Sequence, residues 1–421
     1  MSDTATPATS ATPDPSAPLA VAIVGCGIIG LNHARAIARN PSLTITALVD
    51  AVPAAASALA DQVVSELGIE CPAEYQTLPA AIAASPVDVV VICTPSGLHV
   101  QLAEEALAAG KHVVIEKPLD VSMARARRIL ELSREAEANG LVVSVISQHR
   151  FDPSSVVVAQ AAHDGTFGRL TSGIASVAWW RSQDYYDSGQ WRGTWELDGG
   201  GAVMNQGVHT VDLLVWFLGR PVEISAQTAL LAHGRVEVED IAVATVRFES
   251  GALAVIHATT AAYPGLSVRL HVHGDRGSAI IDDDQLEYFG AADPAAFDPS
   301  GASVVNRAAE LVPAGELRGG DRGPDQFIVG HLRQYDDIVS AILDGRAPGV
   351  RVEDAFVSLA VVRAVYLSAT LGRPVAFDDV LSGALDDVEV RTGAAPDAVA
   401  PDAVGTDAVE PDASIARGAA S

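Results

Sequence analysis

The whole chain holds two lysines, Lys111 and Lys117, six positions apart, against 25 arginines. Arginine replaces lysine easily where positive charge alone is needed. It does not where a compact, deprotonatable ammonium is required. Lys111 follows Gly110 at a helix-to-strand turn and reads as a surface position. Lys117 stands between Glu116 and Pro118 at the end of an apolar run. An ammonium there can act on a bound oxygen; the plainer alternative is a solvated strand end. Pro118 fixes the turn and is a candidate for a cis bond. Glu116 is placed to neutralise nearby groups and to position the lysine. A second set lies in "GGGAVMNQGVHTVD", with Asn205, His209 and Asp212. Asn205 and His209 are four apart and share a helix face. Asp212 can lie beside His209 or be an ordinary helix carboxylate. Neutral imidazole is the natural acceptor for a hydroxyl proton near pH 7, although a histidine in an apolar helix can also be a core residue.

A third motif is "AIVGCGIIG", an apolar run followed by Gly25, Gly27 and Gly30. It follows a strand and opens a helix, with Ile28 and Ile29 inside the motif, so it is a dinucleotide fingerprint. Gly25 permits the tight turn, Gly27 lets a pyrophosphate approach the backbone, and Gly30 lets helix and strand pack closely. The helix N-terminus then faces the phosphates. Asp50 ends the next apolar run. Its carboxylate would accept hydrogen bonds from ribose hydroxyls and repel a 2′-phosphate, which favours NAD over NADP. Thr94 and Pro95 leave a further strand at the same edge. His99 follows as a histidine expected on the cofactor side and more structural than basic. Glu116 and Lys117 complete the expected cofactor contacts.

These groups need a frame. Near-continuous apolar runs at 20–25, 44–49, 88–93, 112–116 and 141–146 read as strands covered on both faces. Helical segments at 30–39, 53–67, 98–109 and 122–138 lie between them. Alternation of this kind gives a doubly wound parallel sheet, a Rossmann-type α/β domain over residues 18–147. Beyond it, strands at 171–178, 222–230, 238–248, 252–260, 267–273 and 278–282 alternate apolar and polar residues. With helices at 202–218, 327–344 and 353–371 they predict an α+β domain over 148–382. Its large, mostly antiparallel sheet has one face open. Residues 1–17 and 383–421 read as disordered tails, the latter acidic.

Composition narrows the partners. A formal net charge of −26 argues against nucleic acid and anionic membrane surfaces. No apolar run is expected to be long enough and free enough of charge to span a bilayer, and the N-terminus lacks the pattern of a secretory signal. Cys26, Cys71 and Cys93 form neither a metal spacing nor an even disulfide set, which suits a reducing cytoplasm. Cys26 and Cys93 read as small apolar residues near the dinucleotide motif. His257, His271 and His273 alternate along strands without a carboxylate at helical spacing, so no metal site is expected. The stretch 179–201 is rich in Trp, Tyr and Arg. Aromatic faces stack on sugar rings and arginine forks hold carboxylate or phosphate. Arg181, Tyr185, Tyr186, Trp191 and Arg192, with Arg150 near the interdomain cleft, are therefore expected at a substrate mouth. The alternative is a subunit interface.

The segments "VGCGIIGLNHARA", "CTPSGLHVQLAEEALAAGKHVVIEKPL" and "GGGAVMNQGVHTVDLLVWFLG" together resemble the glucose–fructose oxidoreductase, inositol dehydrogenase and rhizopine-catabolism (Gfo/Idh/MocA) family. The resemblance runs from about Leu19 to Val380. It implies NAD(P)-dependent oxidation or reduction of a sugar or cyclitol carbinol. His209 would then be the general base, and Lys117 would orient the hydroxyl and stabilise its alkoxide. Many relatives carry aspartate where this chain has Asn205, which puts a proton relay through that position in doubt. The aromatic stretch, "MNQGVH" and "TTAAYPG" look most like members that oxidise UDP-N-acetylglucosaminuronate at its 3-hydroxyl. Two other classes stay open: a glycoside hydrolase using NAD transiently, and a non-catalytic NADH or sugar sensor. The exposed sheet face predicts a homodimer or homotetramer.

Overall fold

Short apolar runs build the first sheet. In this computed structural model, which describes residues 17–392 apart from 190, 294–297, 302 and 324, they form β1 (Leu19–Val24), β2 (Leu43–Val49), β3 (Ala73–Tyr75), β4 (Val89–Ile92), β5 (His112–Ile115) and β6 (Val143–Val145). All pair in parallel, in the order β3-β2-β1-β4-β5-β6 expected of a dinucleotide-binding sheet. The pleat sends Val21 and Ile23 to one buried cluster and Ala22 and Val24 to the other. Both faces are covered, so the runs are apolar throughout. β3 was not anticipated, because three half-polar edge residues carry no periodicity. Pro53 opens the helix Pro53–Leu67 and Gly68, with φ +66°, closes it.

The second sheet has eight strands: β7 (Leu170–Ala178), β8 (Pro221–Ala229), β9 (Ile241–Phe248), β10 (Leu253–Thr259), β11 (Val268–Gly274), β12 (Gly277–Asp282), β13 (Gln285–Ala291) and β14 (Val375–Ala376). The order is β13-β12-β11-β7-β10-β9-β8-β14, antiparallel except for β7 with β10. One face packs on the helix Val208–Leu218. Gly173 admits that helix, since a Cβ there would fall 2.7 Å from Leu218. The opposite face leaves Ile174, Val243, Leu253 and Val255 exposed.

Three expectations about organisation change. The helix Gln326–Asp344, assigned by sequence to the second domain, buries Ile328, Tyr335, Ile338 and Val339 in the first sheet's cluster with Val21 and Leu59. An amphipathic stripe goes where its complement lies, regardless of chain position. The helix Val352–Leu371 is long and apolar enough, by length and composition, to cross a membrane. Here its Val361, Val362 and Val365 are buried between the two sheets' helices and strands. Finally, residues 383–392 are not a tail. Leu385, Val388 and Val390 pack on the core, Arg127 pairs with Asp386, and Arg363 Nη2 donates to the Val388 carbonyl at 2.8 Å. The remaining expected tails, 1–16 and 393–421, lie outside the described residues.

Candidate active site

The glycine turn and the strand ends meet at one sheet edge. Gly25 has φ +96°, and a Cβ would sit 2.7 Å from the Cys93 backbone. A Cβ on Gly30 would lie 2.3 Å from the Gly25 carbonyl, whereas Gly27 faces open space. The helix Ile28–Ile37 begins there, with Ile28 75% exposed and Ile29 half-buried, so its first amides border that space. Asp50 accepts the Cys26 amide at 2.9 Å and the Val52 amide at 2.8 Å, which fixes its carboxylate beside the turn. Thr94 Oγ1 is buried without a partner at the same edge. An open glycine, helix amides, an oriented carboxylate and an orphaned hydroxyl suit a dinucleotide. Cys26 is buried, and burial together with the Asp50 charge pushes its thiol up to about 12.

Two expected cofactor residues face inward instead. His99 is 1% exposed; its ring bonds the Thr94 carbonyl at 3.0 Å and the Pro118 carbonyl at 3.1 Å. It ties two loops together rather than lining the edge. Glu116 is 7% exposed, with Oε1 at 2.9 Å from His33 Nε2 and 3.5 Å from His331 Nε2. Burial raises its pKa, but the bonds and charges of the two histidines outweigh that and hold it well below the usual carboxylate range. Its Oε2 accepts the Lys117 amide at 2.9 Å, so Glu116 positions the lysine through the backbone. The Lys117–Pro118 bond is cis.

Lys117 Nζ reaches the Asn205 carbonyl at 3.5 Å, its one acceptor among the described residues. Asn205 does not sit on a plain α-helix. Val203–Gly207 forms a π-helical turn before Val208–Leu218, so the expected i,i+4 stacking of Asn205 on His209 is widened by a residue. The entry to this turn is held by Glu239, which no motif marked. Its carboxylate accepts the Gly201 amide at 2.9 Å, the Val203 amide at 2.9 Å and the Tyr366 hydroxyl at 3.0 Å. Burial raises Glu239 to about 7. A Cβ on Gly201 would meet the Glu239 carbonyl at 1.8 Å.

His209 makes no hydrogen bond to another described residue. Its half-buried ring lies edge-on to His149, with centroids 5.1 Å apart. Burial, then the charges of Lys117 and His149, hold its pKa well below the imidazole range. His149 goes the other way. Burial would lower it, but the Asp284 charge and the Asp152 bond at 2.8 Å raise it to about 9. Asp212 does not pair with His209. Arg150 grips it at 2.7 and 2.8 Å, Ser358 donates at 2.7 Å, and Ser147 also bonds it. Arg150, expected to meet substrate, is buried and fully engaged with Asp212 and Asp354. A buried charge must be paired, and this pair satisfies both residues.

The aromatic stretch forms a ladder. The Arg181 guanidinium lies over Trp179 and Tyr185 at 5.0 and 5.3 Å; that of Arg192 lies over Tyr185 and Trp191 at 4.4 and 4.3 Å. Gln206 Nε2, on the π turn, donates to the Tyr185 hydroxyl at 3.4 Å, which places the ladder beside Asn205. Trp191 is 39% exposed. Tyr186 departs from expectation: it is buried, with its hydroxyl 2.8 Å from Thr260 Oγ1. A cavity of about 20 Å³ lies between Lys117, Ser147 and His209. It has room for about one water. A larger groove, about 590 Å³, lies away from this chemistry on the open sheet face.

Folding also gathers two acid–histidine groups that spacing could not show: His33, Glu116 and His331, and His149, Asp152 and Asp284. In the first, His33 and Glu116 already bond each other. In the second, Arg333 at 2.9 Å from Asp152 and Arg322 at 3.8 Å from Asp284 compete with any cation. Both are read as hydrogen-bonded clusters.

Residues 19–146 match the model of an oxidoreductase family with an NAD-binding Rossmann fold, and residues 156–280 match the GFO/IDH/MocA C-terminal domain. An inositol 2-dehydrogenase of Rhizobium meliloti is 31% identical over 269 residues, covering 62% of this chain and 74% of the relative. A myo-inositol 2-dehydrogenase of Thermotoga maritima is 27% identical over 271 residues, covering 62% and 75%. Among solved structures, the WlbA dehydrogenase of Bordetella pertussis in complex with NADH and UDP-GlcNAcA is 30% identical, with a TM-score of 0.72 over 86% of this chain and 99% of that one. The nucleotide-binding sheet edge, the open second sheet and these matches agree: the chain belongs to the Gfo/Idh/MocA family and is an NAD-binding oxidoreductase.

Proposed function

We propose that the chain transfers a hydride between NAD and a secondary alcohol of a sugar or cyclitol, with Lys117 and His209 acting on the carbinol oxygen. The observation that carries this is convergence from two elements. Lys117 leaves the end of β5 and reaches the turn that leads into His209, while His209 keeps a ring without protein hydrogen bonds among the described residues. NAD, when bound, supplies the hydride acceptor. Gly25, Gly27, Gly30 and the amides of Ile28 and Ile29 would hold its pyrophosphate, Thr94 and Pro95 would border it, and Asp50 would take the ribose hydroxyls and disfavour NADP. His209 is unprotonated at neutral pH and takes the hydroxyl proton on a free ring nitrogen. Lys117 donates an N–H to the same oxygen and stabilises the alkoxide. Asn205 hydrogen-bonds the substrate.

The ladder of Arg181, Tyr185, Trp191 and Arg192 offers flat faces and two guanidinium groups beside Asn205. That chemistry suits a sugar ring joined to phosphate or carboxylate. It supports an acidic nucleotide sugar, of the kind bound by the Bordetella WlbA relative, ahead of a free cyclitol. We further assign self-association, as a dimer or tetramer, to the open sheet face.

The test is a panel of cyclitols, free sugars and nucleotide sugars assayed for NADH formation. Net NADH from one class identifies the substrate. Aglycone release without net NADH would instead support elimination through transient oxidation. His209→Ala should lower turnover by about 10²–10⁴-fold; unchanged turnover would reject the base assignment.

A further inference from the structure

Asp198 precedes the glycine run and belongs to no motif read from sequence. It is 6% exposed. Its Oδ1 accepts Asn205 Nδ2 at 2.7 Å, and its Oδ2 accepts the Gly193 amide at 2.8 Å. Gly193 follows Arg192, so one carboxylate joins the aromatic–arginine ladder to the turn that carries Asn205. The second Nδ2 hydrogen of Asn205 goes to the Gly200 carbonyl at 3.2 Å. A primary amide has two N–H donors and one oxygen. Here both donors point inward to acceptors. A flipped amide would press its oxygen against those same acceptors, so the flip is excluded. Oδ1 is therefore turned outward, and it has no protein partner among the described residues. Burial raises the Asp198 pKa, while the Gly193 and Asn205 bonds and the charges of Arg192 and Lys117 oppose that.

We propose that Asp198 is a positioning residue that locks the Asn205 amide, so that its oxygen accepts a hydrogen bond from a substrate hydroxyl next to the reacting carbinol. The site then selects a vicinal diol over the corresponding deoxy compound. This inference rests on the reading that Lys117 and His209 act on a carbinol, and its test is built to fail separately.

The experiment is a cycle of Asp198→Asn, Asn205→Asp and the double variant in the full chain with NAD. An amide at position 198 cannot accept from both Gly193 and Asn205, so KM should rise by up to about tenfold, as loss of one hydrogen bond to an uncharged amide oxygen predicts. kcat should change less, NADH affinity should hold, and discrimination against the deoxy analogue should collapse. In Asn205→Asp two carboxylates share one proton, facing Lys117 and Arg192. KM should then climb with pH as that proton leaves, a dependence the wild type lacks. In the double variant the amide and the carboxylate exchange places. The amide at position 198 can accept from Gly193 and donate to the carboxylate at position 205, which should restore part of the loss; the Gly200 carbonyl stays without its donor. A wild-type KM and deoxy discrimination in Asp198→Asn, or a double variant as impaired as the sum of the singles, would overturn the lock. If no compound yields NADH, the functional reading fails. The same cycle read by urea unfolding then decides the lock itself: additive singles refute it, and a coupling beyond additivity upholds it.

Discussion

His209 lies between two cations, Lys117 and His149, in a site that already disfavours charge. Its proton leaves well below the usual imidazole range, so the acid limb of kcat/KM should fall below pH 6.5, the ordinary imidazole value. His149→Gln removes one like charge and should move that limb upward, which a pH–rate profile will register. His149 also carries a stability signature. Its folded pKa is raised from 6.5 to about 9, so its contribution is full below about 6.5 and is lost as pH rises through 9. Urea unfolding from about pH 6 to about pH 10 should show that decline in the wild type and not in His149→Gln. Lys117→Ala should lower kcat by about 10²–10³-fold, as expected for one lost oxyanion donor, with little change in NADH affinity by fluorescence titration. Local chemistry makes the glycine turn and the backbone at Lys117 readable, because Gly25, Glu116 and Pro118 lie beside the positions they shape. Arg150, His99 and Tyr186 resist such reading. Their partners, Asp212, Pro118 and Thr260, come from distant segments, and a polar group takes whichever partner burial supplies.

The π turn Val203–Gly207 is tied at its entry to one distant side chain. Glu239 precedes β9 and captures amides of the entering glycine segment, so the first turn is set by the second sheet rather than by the helix alone. Glu239→Gln places an amide NH₂ against at least one of those donors. It should cost about 1–3 kcal/mol in urea unfolding, the penalty for an unsatisfied buried group. kcat should fall along with it, since Asn205 sits on that turn and His209 follows it at the start of the next helix. Retained stability and activity would show that the glycine segment holds the turn unaided. Helix length and face were readable in this region from apolar spacing; the inserted residue was not, because no local pattern encodes a partner 36 positions away from Val203.

At the scale of the molecule, the open face of the second sheet carries Ile174, Val243, Leu253 and Val255 side by side across β7, β9 and β10. A sheet face with exposed apolar residues set among Thr245 and Arg247 is a candidate for burial between subunits. Sedimentation velocity should find a dimer or larger species, and Ile174→Glu with Val255→Glu should release monomer while NADH binding persists. A wild type that sediments as monomer would reject the assignment. The apolar helix Val352–Leu371 belongs to this scale too: its composition alone fits a membrane as well as a core, and packing between the layers decides for the core.

Sequence by itself determined the two sheet types and the glycine turn of the first sheet. Each follows from residue type and periodicity within a few tens of positions. Tertiary structure alone decided which carboxylates serve which groups. Asp212 went to Arg150, Glu116 to His33 and His331, and Asp198 to Asn205. The reason is electrostatic: a charge withdrawn from water must find its counterpart in space, and chain order does not say where that counterpart lies.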